Sequence, residues 1–235
     1  MNLWLPQAAS SYAQDLDWIL IFITVIVGAW FVVAELLLLV LVIRYRRREG
    51  VKAAYLPGHS LRAMAVVLVP CAVILGLDLV IDGVAAPIWD HVKVELPPHD
   101  ELIGIRGEQW AWRFVLAGPD GRLGTGDDID APGEVHVPVG SVVQFELSAK
   151  DVLHSFFVPE LRLKQDAIPG REIKGWFKVT KAGTYEVICA EICGFGHTLM
   201  KGKMVAESPQ AYRQWLRSKQ AAAKAPVPHE EKDNG

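Results

Sequence analysis

Residues 18–43 read WILIFITVIVGAWFVVAELLLLVLVI, with a single charge, Glu35. At about 1.5 Å per helical residue, such a run is long enough to cross the roughly 30 Å hydrocarbon core of a bilayer. It predicts a transmembrane helix over 17–43, behind an N-terminal segment at 1–16. Further along, AMAVVLVPCAVILGLDLV at 63–80 is shorter but close to the minimum spanning length, and Pro70 is placed to kink it. A second membrane helix is expected over 61–81, so the two form a helical hairpin, followed by a linker at 82–94.

The connector at 44–60 decides the orientation. It and the start of the second helix carry Arg44, Arg46, Arg47, Arg48, Lys52 and Arg62 against one acid, Glu49. The excess of Lys and Arg places this loop in the cytoplasm and both termini outside. Residues 1–16 hold no Lys or Arg, and the apolar run is longer than the core of a cleavable leader, so the first helix is expected to be retained. Beyond the hairpin, residues 82–235 hold 18 Lys plus Arg and 22 Asp plus Glu, a difference of minus 4. With no basic stretch there, nucleic acid is excluded as a partner.

The external part is a different material. ELIGIRG, WAWRFVL, EVHVPV, VVQFELS, DVLHSFFV, EIKGWFKV, TYEVICA and KGKMVAE are short β-rich runs separated by Gly, Pro and Asp. They predict an all-β sandwich over 95–207. A short helix is expected over 208–220, with Ser208 as N-cap, Pro209 at the first helical position, and Tyr212 and Trp215 spaced to pack on the sandwich. A disordered tail is expected over 221–235. GPDGRLGTGDDID at 118–130 has the composition of a calcium loop but not its spacing, and reads as a solvated turn.

At the end of one β-run the sequence is Cys189-Ala-Glu-Ile-Cys193-Gly-Phe-Gly-His197-Thr-Leu-Met200. Two thiols, an imidazole and a thioether within so short a span are a soft donor set of the kind copper prefers. A mononuclear blue-copper site uses two His, one Cys and a weak axial Met. Here there is one Cys too many, and a second thiolate four positions on lets two sulfurs bridge two ions. His154, in VLHSFFVP, supplies a second imidazole. A Cys-x3-Cys disulfide gives no reason for His197 and Met200, and a Cys2His2 zinc site gives none for the Met.

CAEICGFGHTLM, preceded by DVLHSFFVP and KQDAIPGR, resembles the dinuclear copper (CuA) signature of cytochrome c oxidase subunit II. ASSYAQDLDWILIF, the hairpin, GEQWAWRF and YRQWL fall in the family's order. The resemblance implies a cupredoxin-like Greek-key sandwich on the outer, periplasmic side of a bacterial-type cytoplasmic membrane. It implies that Cys189 and Cys193 bridge both coppers, that His154 and Met200 complete one, and that His197 and the Glu191 carbonyl complete the other. It also implies that Trp110 receives the electron from a c-type cytochrome, that the Glu191 side chain is a magnesium ligand, and that a haem in a large haem–copper subunit I takes the electron onward. A quinol-oxidising relative without copper would have lost the thiols. Trp110 and Trp112 are expected on one face of a strand, Trp112 being either a core aromatic or part of the electron path, and Glu108, Asp151 and Asp166 are candidate steering acids. His59, His91, His99, His136 and His229 fall outside every motif and are expected to be structural or surface residues.

One family feature is missing. An E-x-x-W pattern, whose Glu feeds a proton pathway, begins seven residues before a second-helix proline; counting back from Pro70 gives Ala63 and Val66 in its place. Two membrane acids remain, Asp78 and Glu35, the latter about 12 Å inside the first helix. Glu35 is a candidate for a rerouted proton path or for pairing with a partner's polar group. Two further functions therefore stand beside the oxygen reductase: the copper subunit of a nitric oxide reductase of the same superfamily, and a stand-alone membrane-tethered cupredoxin.

Overall fold

The computed structural model describes residues 5–53, 55 and 57–224. The chain divides into two units: residues 15–94, and the N-terminal residues up to Gln14 together with the chain from Glu95 onward.

The first unit is helical. Helix α1 (Ala13–Arg44) starts a few residues before its expected position and has Arg44 in its last turn, where a cation complements the helix dipole. Helix α2 (Leu61–Trp89) is capped by the Ser60 hydroxyl, which accepts from the Ala63 amide at 3.2 Å. Both are long and apolar enough to cross a membrane, and the membrane-length stretches are unburied within the chain. The linker expected over 82–94 is instead helical: α2 runs to Trp89, and a π-helical turn follows over Asp90–Val94. A drop in hydropathy ends the membrane span, not the helix, and at about 1.5 Å per residue α2 is longer than the hydrocarbon core is thick.

Among the described residues, the second unit is a sandwich of ten strands. They are β1 (Glu101–Glu108), β2 (Ala111–Leu116), β3 (Ile129–Pro132), β4 (Glu134–Pro138), β5 (Val142–Ala149), β6 (His154–Val158), β7 (Leu163–Ala167), β8 (Ile173–Lys178), β9 (Gly183–Cys189) and β10 (Lys201–Glu207). One sheet has the order β3-β2-β1-β5-β8, the other β4-β10-β9-β6-β7. β1–β5 and β4–β10 pair in parallel, and the remaining neighbours are antiparallel. Period-2 alternation turns Ile103 and Ile105, Trp112 and Phe114, and Val143, Phe145 and Leu147 inward. Phe156 of the opposite sheet meets Trp112, Phe114 and Phe145 at ring-centroid distances of 5.5, 6.4 and 6.3 Å. These rings form the core between the layers.

β3 and β7 were not among the expected strands. β3 includes the last two residues of the run read as a solvated turn, and β7 is polar. Both lie at sheet edges, where one side of the strand is unpaired and apolar alternation is not demanded.

Two flanking segments complete this unit. Ser10 bridges Val179, the Ser10 hydroxyl donates to the Leu161 carbonyl at 2.8 Å, and buried Tyr12 packs edge-on against Trp176. The segment expected only to lie outside the membrane is therefore part of the sandwich. Helix α3 (Pro209–Lys224) packs Trp215 flat on His136, ring centroids 4.2 Å apart, and directs the Tyr212 hydroxyl to Glu101 at 2.8 Å. It outlasts its expected end at 220 because the alanines that follow are the strongest helix formers. Residues 225–235 of the expected tail, with His229, lie outside the described residues.

Candidate metal centre

The site lies at the strand ends of the β4-β10-β9-β6-β7 sheet. His154 opens β6, Cys189 closes β9, and Met200 immediately precedes β10. Two backbone bonds fix the frame: the Ala190 amide donates to the Ser155 carbonyl at 3.0 Å, and the Cys189 amide to that of Met200 at 3.3 Å. Between them the loop 190–200 turns back through a 3-10 turn at His197–Leu199.

All the ligands named from the sequence converge. The Cys189 and Cys193 sulfurs are 3.8 Å apart and unbonded. Cys189 Sγ lies 3.9 Å from His154 Nδ1 and 3.3 Å from the Glu191 carbonyl oxygen. Cys193 Sγ lies 3.6 Å from His197 Nδ1 and 3.8 Å from Met200 Sδ. The ligand atoms of His154, Cys189 and Cys193 all fall within 4.8 Å of one another, and the three residues are buried. With metal–thiolate bonds of about 2.3 Å, sulfurs at this separation can bind a common ion from either side. Burial, and then the neighbouring Cys189 thiol, pushes the Cys193 thiol up to about 11, so a metal must displace its proton.

Glycines make the room. A Cβ on Gly107, which faces inward on β1, would meet the His154 ring at 2.9 Å. A Cβ on Gly196 would overlap the Trp110 indole, so the ring lies directly on the ligand loop. Trp110 is not on a strand with Trp112, as had been expected. The register pairs Glu108 with Ala111, so Gln109 and Trp110 form the two-residue hairpin turn and the pleat no longer relates the two rings. Trp112 is fully buried in the core, whereas Trp110 is 42% exposed. Trp110 Nε1 and Gln109 Nε2 both donate to the Cys193 carbonyl, at 3.3 and 2.8 Å. Gln109 was missed in the sequence, where an amide beside a tryptophan carries no signal of its own.

The three candidate steering acids are already engaged. Glu108 accepts from Arg113 Nε at 2.8 Å and from Lys150 Nζ at 3.1 Å, which hold its pKa down. Asp166 accepts from the buried Ser155 hydroxyl at 2.8 Å. Asp151 accepts from His154 Nε2 at 2.8 Å and from the Gln109 and Val152 amides at 2.7 Å each. Burial pushes the Asp151 pKa up, but the bonds from His154 and the two amides outweigh it and hold it at about 2. The Glu191 carboxylate pairs with Lys164 Nζ at 3.2 Å.

Soft donors gathered at the rim of a sandwich, in a chain with two bilayer-length helices, define the class: a membrane-anchored metalloprotein of the cupredoxin type. Known proteins narrow this. Residues 119–208 match the family model for the periplasmic domain of cytochrome c oxidase subunit II. The alternative cytochrome c oxidase subunit 2 of Bradyrhizobium diazoefficiens is 32% identical over 246 residues, covering 94% of this chain and 85% of the relative. The cytochrome c oxidase subunit 2 of Thermostichus vulcanus is 46% identical over 128 residues, which is 54% of this chain and 36% of that one. A solved structure, the periplasmic domain of subunit II of the cytochrome oxidase of Bradyrhizobium japonicum, aligns with 55% of this chain and 99% of its own at TM-score 0.49 and 26% identity. The chain belongs to the cytochrome c oxidase subunit II family, whose copper-binding sandwich lies on the outer side of the membrane.

Proposed function

We propose that this chain receives electrons from a c-type cytochrome at a dinuclear copper centre and passes them to a haem in a large haem–copper subunit, which carries out the gas reduction. The observation that carries this reading is the convergence of both thiols on both imidazoles, the Met200 thioether and the Glu191 carbonyl. When bound, a copper pair sharing two thiolates supplies a one-electron store. The chain's own residues supply the rest. Burial of His154, Cys189, Cys193 and Met200 excludes water from the donors, and the Trp110 indole offers an exposed aromatic path that ends on a ligand's carbonyl. The basic connector faces the cytoplasm, and both termini and the sandwich face outward.

The Glu191 carboxylate is the proposed magnesium ligand, and Lys164 now holds it. A magnesium ion there must displace the lysine and take its further oxygen ligands from the partner subunit. Metal analysis and electron paramagnetic resonance test the central claim. Two coppers per chain sharing one unpaired electron are expected, and Cys193→Ser should abolish that signal; zinc, or a Cys189–Cys193 disulfide in the assembled complex, overturns it.

Ala63 and Val66 favour a second reading of the acceptor, because the proton-pathway Glu of an oxygen reductase is absent from its usual position. Turnover of the purified complex with oxygen and with nitric oxide separates the two. Glu35→Gln without loss of turnover would remove Glu35 from any proton path.

A further inference from the structure

The geometry points to Asp151 as a positioning residue that sets the His154 ligand for the metal and ties it to the Trp110 turn, a role that rests on the copper reading above. One carboxylate does both. Its Oδ1 accepts from His154 Nε2 at 2.8 Å and from the Val152 amide, and its Oδ2 accepts from the Gln109 amide at 2.7 Å. Proton placement follows from hydrogen-bonding capacity. Because an ionised carboxylate only accepts, His154 Nε2 must carry a hydrogen, and this tautomer leaves the Nδ1 lone pair free on the side of Cys189 Sγ. His154 is fully buried, so water does not compete for either nitrogen.

The second arm reaches the electron path. Gln109 hands its amide to Asp151 and its side chain to the Cys193 carbonyl, and the adjacent Trp110 donates to that same carbonyl. The turn is therefore pinned at one end to a carboxylate that also holds His154 and at the other to the peptide of Cys193. Two proposed copper ligands, one opening β6 and one in the loop after β9, are linked through two side chains. A carboxylate behind a ligating imidazole also makes it a better electron donor, which stabilises the more oxidised metal. Asp151 accordingly lowers the potential of the centre and keeps Trp110 in register with it.

Asn cannot replace it. If its carbonyl oxygen faces His154, its amide group meets the Gln109 N–H, donor against donor. In the assembled complex, Asp151→Asn is expected to keep two coppers but to shift the optical and electron paramagnetic resonance spectra and raise the reduction potential. The electron-transfer rate from reduced cytochrome c at matched driving force should fall about tenfold. Glu108→Gln, which removes a nearby carboxylate that pairs with Arg113 and Lys150 rather than with His154, should leave spectrum and potential in place.

Electron–nuclear double resonance on the wild-type complex gives an independent reading, with a slowly exchanging Nε2 proton expected on His154. Asp151→Asn with an unchanged spectrum and potential overturns the assignment, as does rapid exchange of that proton. A wild-type complex that holds no copper overturns instead the copper reading on which it rests.

Discussion

Gly196 is glycine because the Trp110 indole occupies the space its side chain would need. The same contact, with the bond from Trp110 Nε1 to the Cys193 carbonyl, joins a partly exposed ring to the peptide of a candidate ligand. Trp110→Phe keeps a ring but loses the donor. It should retain the copper spectrum while stopped-flow reduction by cytochrome c slows about tenfold or more. Acid–base chemistry at Cys193 gives a second outcome. With its thiol pushed up to about 11, Cys193 is protonated at neutral pH and must release that proton on loading. Copper affinity of the apo-chain should therefore rise about tenfold per pH unit for that one proton, read by competitive titration between pH 6 and 9 at about 0.1 M salt. At this scale the residues that converge were legible, since residue type and spacing are local properties. The hydrogen-bonding roles of Asp151 and Gln109 were not, because they depend on a turn and a loop 42 positions apart.

Among the elements, apolar periodicity revealed eight of the ten described strands, the edge strands β4 and β8 included, and missed two others at sheet edges. β1, β2, β5 and β9 announced themselves through alternation, whereas the edge strands β3 and β7 are held by backbone pairing that no side-chain pattern encodes. Helix α3 depends on a different bond. Burial raises the Glu101 pKa, and the hydroxyl of Tyr212 partly offsets that rise. A carboxyl whose folded pKa lies above its unfolded value favours folding in its protonated form, so its contribution is fullest below about 4.5 and falls as pH rises through the folded value. Removing the hydroxyl raises that pKa further and leaves the ionised carboxylate without its donor. Tyr212→Phe should therefore cost about 1 kcal/mol at pH 7 and less near pH 4, which denaturant titrations of the two proteins at both pH values would show.

For the whole molecule, the surface around the proposed copper centre is shaped by apolar side chains as well as by the three acids named from the sequence. Glu108, Asp151 and Asp166 are engaged within the fold, whereas the ligand loop presents Ile192, Phe195 and Leu199 at 86%, 97% and 78% exposure. Apolar exposure on this scale marks a contact surface rather than a solvated face. Raising ionic strength from about 0.01 M to about 0.1 M, which shortens the screening length from about 30 Å to about 10 Å, should change the second-order rate with cytochrome c by less than about threefold. A steep fall would return the steering role to the acids. The two-unit organisation was legible because a bilayer and a water-soluble sandwich demand opposite compositions. The docking of the N-terminal segment was not, because residues 5–14 carry no pattern that names a partner so distant.

That segment has a bearing on how the protein is made. Ser10 and Tyr12 are held by Leu161 and Trp176, contacts that span 151 and 164 positions, with both membrane helices encoded between. The earliest described residues to leave the ribosome thus complete the domain that emerges last. They must stay in an open conformation while the hairpin inserts, and they close onto β8 only after the later strands have assembled. Assembly of the sandwich therefore ends at the first part of the chain to be made, and among its described residues, 5–14, there is no candidate copper ligand.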